Sequence, residues 1–131
     1  MARRVLIAED ESNIVTSLEF LLRENGCDVR VARDGDEAVR LSESFVPDVV
    51  LLDVMMPVKS GFEVCRAIRA NPALRGVKIV MLTARSRDAE RDKGLGLGAH
   101  AYVTKPFSTK ALLASIEELL RGAAQGPVRA K

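Results

Sequence analysis

Four apolar runs of this 131-residue chain each end in residues able to do chemistry. Glu9, Asp10 and Glu11 follow Val5-Leu-Ile-Ala8. Asp53 closes Val49-Val-Leu-Leu. Thr83 and Ala84 close Ile79-Val-Met-Leu. Lys105 and Pro106 follow Ala101-Tyr-Val-Thr104. Acids gathered in one place repel one another and resist ionising. A hard divalent cation removes that conflict, and oxygen-only donors suit Mg²⁺, which keeps several waters and takes few carboxylates. On that chemistry Asp10 and Asp53 are the direct metal ligands, with Glu9 acting directly or through water. A cation, an ammonium and a hydroxyl in one pocket suit phosphoryl oxygens. Lys105 and the metal would neutralise charge on a transferring group, and Thr83 would donate a hydrogen bond to it. Asp53 is then the natural carboxylate nucleophile, forming an aspartyl-phosphate. Taken singly, each residue has an ordinary explanation: Asp as a turn or cap residue, Thr as a β-former, Lys as a solvated cation. Their joint position at successive strand ends favours a functional cluster.

For these residues to meet, the apolar runs must be neighbouring strands with their carboxyl ends on one rim. Five runs alternate with five helix-like stretches, the remaining run being Asp28-Val-Arg-Val31. The first, third and fourth are continuously apolar, as strands covered on both faces must be. The second alternates, which suits an edge strand. A first helix is expected over about residues 12 to 25, with Ile14, Leu18 and Leu21 or Leu22 inward and Gly26 as its C′ residue. Asp34 with Glu37, and Ser60 with Glu63, have capping-box spacing and start the second and third helices. The last helix follows Pro106-Phe107-Ser108 and turns Leu112, Ile116, Leu119 and Leu120 inward. Strand–helix alternation with short links predicts an α/β fold, a doubly wound parallel sheet with right-handed crossovers. In such sheets ligands bind at the carboxyl ends of the strands.

The length suits one domain. We expect it over residues 1–121, with 122–131 (Gly-Ala-Ala-Gln-Gly-Pro-Val-Arg-Ala-Lys) as a flexible C-terminal tail or linker. No apolar run approaches the roughly 20 residues of a membrane helix, and the run after the basic N-terminus is too short for a signal-peptide core. A cytoplasmic protein is expected, with Cys27 and Cys65 as reduced, mostly buried thiols. The formal charge is +2, but Arg3, Arg4, Arg129 and Lys131 sit at the ends, and removing them leaves about −2. That is no basic face for nucleic acid. Gly94-Leu-Gly-Leu-Gly-Ala99 fits GxGxxG/A superficially, but a dinucleotide site needs that motif directly after the first strand. Glycine costs about 1 kcal/mol in a helix interior, so Gly94 and Gly96 predict a loosely held fourth helix that moves on activation.

The ordered set Glu9-Asp10, Leu51-Leu-Asp53-Val-Met-Met-Pro57, Ser60-Gly61, Met81-Leu-Thr83-Ala84 and Tyr102-Val-Thr-Lys105-Pro106-Phe107 resembles the receiver domain of two-component response regulators over about residues 3 to 121. The resemblance implies a flavodoxin-like five-stranded sheet in the order 2-1-3-4-5 with five helices. It implies that a sensor histidine kinase, a phosphotransfer protein or a small phosphodonor phosphorylates Asp53 with Mg²⁺. The Met55 carbonyl would join the metal shell, the Ala84 N–H would face the phosphoryl group, and the Lys105–Pro106 bond would be cis, as X–Pro bonds permit. Thr83 and Tyr102 would be the switch pair, read out on the surface of the fourth helix, fifth strand and fifth helix. Met55 and Arg85 would tune the phosphoryl lifetime.

Met81-Leu-Thr-Ala and Met55-Met56 are similar to receivers of winged-helix transcription factors. Here, however, His100, Ala101, Ala111 and Ser115 stand where those carry dimer-forming charges. A monomer is expected, with phosphorylation-dependent dimerisation as the open alternative. The output would be a partner protein or an effector domain outside this chain, with no direct nucleic-acid binding and no membrane. On this reading the protein is a phospho-acceptor switch rather than an enzyme, with only self-catalysed phosphotransfer and dephosphorylation. The competing enzyme, a haloacid-dehalogenase-like phosphatase, needs a second Asp two residues after the nucleophile, where this chain has Met55.

Overall fold

A computed structural model describes residues 2–84, 92–93 and 95–121. Strands β1 (Arg4–Ala8), β2 (Asp28–Ala32), β3 (Val49–Asp53), β4 (Lys78–Thr83) and β5 (Ala101–Thr104) form one sheet in the order β2-β1-β3-β4-β5. Every pairing is parallel. The register sets Leu6 beside Val50 and Leu52 beside Met81, so the strand ends align. Helices α1 (Ser12–Glu24), α2 (Gly35–Phe45) and α3 (Gly61–Ala70) and a C-terminal helix (Thr109–Arg121) cover the faces, with a short 3₁₀ turn at Pro72–Leu74.

Alternation along each strand divides the core into two. Val5, Ile7, Val49, Leu51, Val80 and Leu82 face α1 and the C-terminal helix. Leu6, Ala8, Val50, Leu52, Ile79 and Met81 face α2 and α3. All twelve are fully buried, which is why these strands carry no polar alternation. Each large side chain among them contributes about 1.5–3 kcal/mol by leaving water. The edge position of β2 accounts for its exposed Arg30.

The helix signals hold with one shift. Gly26 sits at φ +80° after α1. The Asp34 side chain accepts from the Glu37 N–H, and Ser60 with Glu63 forms a full capping box. In α1 the inward row is Val15, Leu18 and Leu22, with Ile14 only half-buried. The β-branched Val15 lies one position round from the expected stripe, where α1 packs on β1, β2 and the C-terminal helix. Leu112, Ile116 and Leu119 are buried as expected, and Leu120 partly. Both cysteines are free, Cys65 buried and Cys27 half-buried. Burial pushes the Cys65 thiol up to about 11, so it is a packing residue.

Between β4 and β5, Asp92, Lys93, Leu95 and Gly96 are helical. Gly98, at φ +105°, ends that stretch against the Arg69 side chain. The described part of the GxGxxG-like run, residues 95–99, therefore closes a helix and opens none. Lys93 lies over the Phe62 ring at 4.5 Å, and the Cys65 thiol donates to the Leu97 carbonyl. Arg85, Gly94 and the tail 122–131 lie outside the described residues. No helix among the described residues is long and apolar enough to cross a membrane.

Candidate metal and phosphoryl site

Strand parity explains which side chains converge. Ile7, Leu51 and Val103 all belong to the face under α1 and the C-terminal helix. Two residues further along each chain stand Glu9, Asp53 and Lys105. Thr83 has the opposite parity, two residues beyond Met81, and shares a face with Tyr102, which pairs with Met81 across the ladder.

Glu9, Asp10 and Asp53 place carboxylate oxygens within 4.8 Å of one another. Lys105 Nζ stands 2.8 Å from Glu9 Oε1 and 3.5 Å from Asp53 Oδ1. Asp53 Oδ1 accepts the Met55 N–H at 3.2 Å, and Glu9 Oε2 accepts the Glu11 N–H at 3.2 Å. Glu9 is fully buried, Asp53 is 4% exposed and Asp10 is open to solvent. The Lys105–Pro106 bond is cis. The Lys105 N–H donates to the Thr83 carbonyl, and the Val54 N–H to that of Leu82. These two bonds tie the loops after β5 and β3 to the end of β4.

The electrostatics follow from that crowding. Burial, then the Glu9 carboxylate, push Asp53 up to about 6, against the pull of Lys105. For Lys105, burial works against the ammonium, but Glu9 and Asp53 outweigh it and its pKa rises. The pocket thus holds more negative charge than Lys105 balances. The fit to a metal rests on one atom above all. Glu9 Oε1 is buried, and although it faces Lys105 as an ion pair it takes part in no hydrogen bond of good geometry. A buried carboxylate oxygen with spare acceptor capacity, beside two more acids, fits a hard dication.

Of the other residues expected at the site, Thr83 is 1% exposed and Ala84 follows it at the open rim. Met55 turns its side chain to solvent, 71% exposed, leaving only its backbone turned to the acids through the bond to Asp53. Tyr102 is 2% exposed and packed inside the core.

Two contacts carry no motif that periodicity detects. Gly61 packs against the backbone under Asp53: a Cβ there would overlap the Asp53 carbonyl oxygen and stand 2.8 Å from Val54 Cα. The Gly61 N–H donates to the Val54 carbonyl. The glycine directly after the Ser60 cap was the available signal. Val58 adopts φ +72° while the Lys59 N–H donates to the Pro57 carbonyl at 2.9 Å, a γ-turn about a β-branched residue. Such a backbone costs about 1–3 kcal/mol and persists only where its surroundings impose it. Nothing in the residue type announces it.

A parallel sheet in the order β2-β1-β3-β4-β5, with a carboxylate and lysine cluster at its carboxyl rim and the buried Thr83 ending the adjacent β4, marks a flavodoxin-like α/β protein. The family model described as response regulator receiver domain matches residues 5–117, and the chain belongs to that family. It is similar to the chemotaxis response regulator CheY4 of Vibrio cholerae, with 30% identity over 91% of this chain and 99% of that one and a TM-score of 0.86. It is similar to the receiver domain of the sensor histidine kinase PA1611 of Pseudomonas aeruginosa PAO1, whose structure has a magnesium ion coordinated in the active-site cleft. That match has 32% identity over 93% and 100% of the two chains and a TM-score of 0.85. The BeF3-activated DrrB receiver domain matches at 33% identity over 92% and 99%, with a TM-score of 0.82.

Proposed function

We propose that this receiver accepts a phosphoryl group on Asp53 and passes the event to a partner through Thr83 and Tyr102. The observation that carries this reading is the meeting of Asp53 with Glu9, Asp10 and Lys105 at one strand rim. A bound Mg²⁺ would offset the surplus negative charge and that of the incoming phosphoryl oxygens. Glu9, Asp10, Asp53 and the Met55 carbonyl are the groups that would hold it, and the magnesium in the PA1611 receiver supports that assignment. An Asp53 oxygen attacks phosphorus, forming the O–P bond as the donor's bond to phosphorus breaks and its electron pair leaves with the donor. Lys105 moves from its Glu9 and Asp53 partners towards the phosphoryl oxygens and neutralises them. The Thr83 hydroxyl and the Ala84 N–H donate to those oxygens.

The donor class is a histidine kinase, a phosphotransfer protein or a small acyl phosphate. The switch unit is residues 1–121, and 122–131 serve as a tail or linker. A rotation of Thr83 towards the phosphoryl group would favour the interior position of Tyr102, a two-state element biased by one charge change. The burial of Tyr102 on the same face as Thr83 supports the pairing. The test is intact mass after incubation with acetyl phosphate. The expected result is one phosphoryl adduct that needs Mg²⁺ and vanishes in Asp53→Asn. An adduct that persists in that variant would refute the assignment.

A further inference from the structure

The loop after Asp53 is held from outside the site, at a place no site residue occupies. Gly35, the first residue of α2, donates its N–H to the Pro57 carbonyl at 3.0 Å. The same carbonyl accepts the Lys59 N–H that closes the γ-turn over Val58. Asp36, the next residue of α2, pairs with Lys59 Nζ at 2.8 Å. A Cβ on Gly35 would overlap the Lys59 carbonyl oxygen and stand 2.5 Å from Lys59 Cβ. Alanine is ordinarily the better residue inside a helix. Glycine at this position is therefore explained by the neighbouring loop and not by α2 itself.

We propose that the N-terminus of α2 buttresses the phospho-acceptor loop, and that Gly35, Asp36 and Lys59 are positioning residues for the metal side of the pocket. The strained turn at Val58 does not hold itself, since a β-branched residue at positive φ relaxes when released. Gly35 supplies the hydrogen bond and the close contact that fix the turn, and the Asp36–Lys59 pair adds a tether. Four residues before Lys59 stands Met55, whose N–H already sits on Asp53 and whose carbonyl is the proposed backbone ligand. Movement of the turn would pass along this short, closed loop, which Gly61 pins at its other end against Asp53 and Val54. Outer partners of a metal ligand commonly set affinity by about 10–100-fold.

This inference rests on the assignment of a metal to Asp53, and the experiment separates the two. MgCl₂ is titrated into ¹⁵N-labelled, unphosphorylated protein, following the Met55 and Lys59 amides well below the melting temperature. If the wild type shows no saturable shift at either amide, the metal assignment itself fails. With saturable binding in the wild type, Gly35→Ala is expected to raise the dissociation constant about tenfold, a change of about 1.4 kcal/mol. Gly76→Ala, where an added Cβ meets nothing within 4 Å, is the control and should stay within about twofold. Asp36→Asn and Lys59→Gln should each weaken binding about two- to threefold, and the double variant no more than either alone. That cycle decides the matter even if Gly35→Ala fails to fold. Folded Gly35→Ala with wild-type affinity, or an Asp36–Lys59 cycle with no effect or with additive effects, overturns the proposal.

Discussion

Asp53→Asn should make the metal-free protein more stable, although it removes the proposed phospho-acceptor. The folded protein raises Asp53 from 3.8 to about 6. At 1.36 kcal/mol per unit, ionised Asp53 costs the fold on the order of 2–3 kcal/mol near neutral pH. The sign follows from linkage. A folded pKa above the unfolded one means the folded state binds the proton more tightly. Stability from this group is therefore greatest below pH 3.8 and is lost as pH rises through about 6. Asparagine keeps the shape and an oxygen for the Met55 N–H but carries no charge. The assay is urea unfolding in EDTA. At pH 7.5 the variant should gain about 2 kcal/mol, equivalent to roughly 5–10 °C in melting temperature for a chain of this size. At pH 4.5 the gain should shrink to about 1 kcal/mol, because Asp53 is then largely protonated in the folded wild type. Saturating Mg²⁺ should close the gap by stabilising the wild type selectively. An asparagine variant less stable than wild type at pH 7.5 without metal, or a difference that ignores pH, would refute the electrostatic account.

Other sites give independent checks. His100 Nδ1 accepts the Ile79 N–H at 3.1 Å, and burial, then Lys78 and Arg69, hold its pKa down to about 4. Its folded pKa lies below the unfolded 6.5, so stability should fall as pH drops from 6.5 through 4, less so in His100→Asn; NMR of this single histidine should show it neutral at pH 5.5. Lys105→Met leaves Glu9 and Asp53 without their cation, and should cost about 3 kcal/mol by denaturant titration in EDTA. Its combination with Asp53→Asn should cost less than the single change. Gly61→Ala drives a methyl into the backbone under Asp53 and should destabilise by about 1–3 kcal/mol, read from thermal melts.

Sequence reasoning reached the strands and the convergence of the acids because both are periodic or terminal features. A strand buried on both faces must be continuously apolar, as Val49–Leu52 is, and candidate ligand groups in a parallel sheet belong at strand ends, where Glu9 and Asp53 stand. The caps at Asp34 and Ser60 were legible for a similar reason, since each is satisfied within four residues. What escaped depends on contacts between distant segments. Gly35 and Lys59 meet only because the loop after β3 folds back over α2. The γ-turn at Val58 runs against its residue type. The imidazole of His100, which stands where a dimer-forming charge would be expected, accepts the Ile79 N–H at the start of the β4–β5 pairing. The interior burial of Tyr102 likewise depends on how closely α3 and the residues after Lys93 pack over that end of the sheet.

The central claim is that one carboxylate among three neighbours takes the phosphoryl group. Its most direct test is to phosphorylate the protein with acetyl phosphate and Mg²⁺, reduce the acyl phosphate with borohydride, and map the resulting homoserine by peptide mass spectrometry. The account predicts homoserine at position 53 alone. Reduction at Glu9 or Asp10, or a phosphoryl group on Thr83 that resists borohydride, would contradict it.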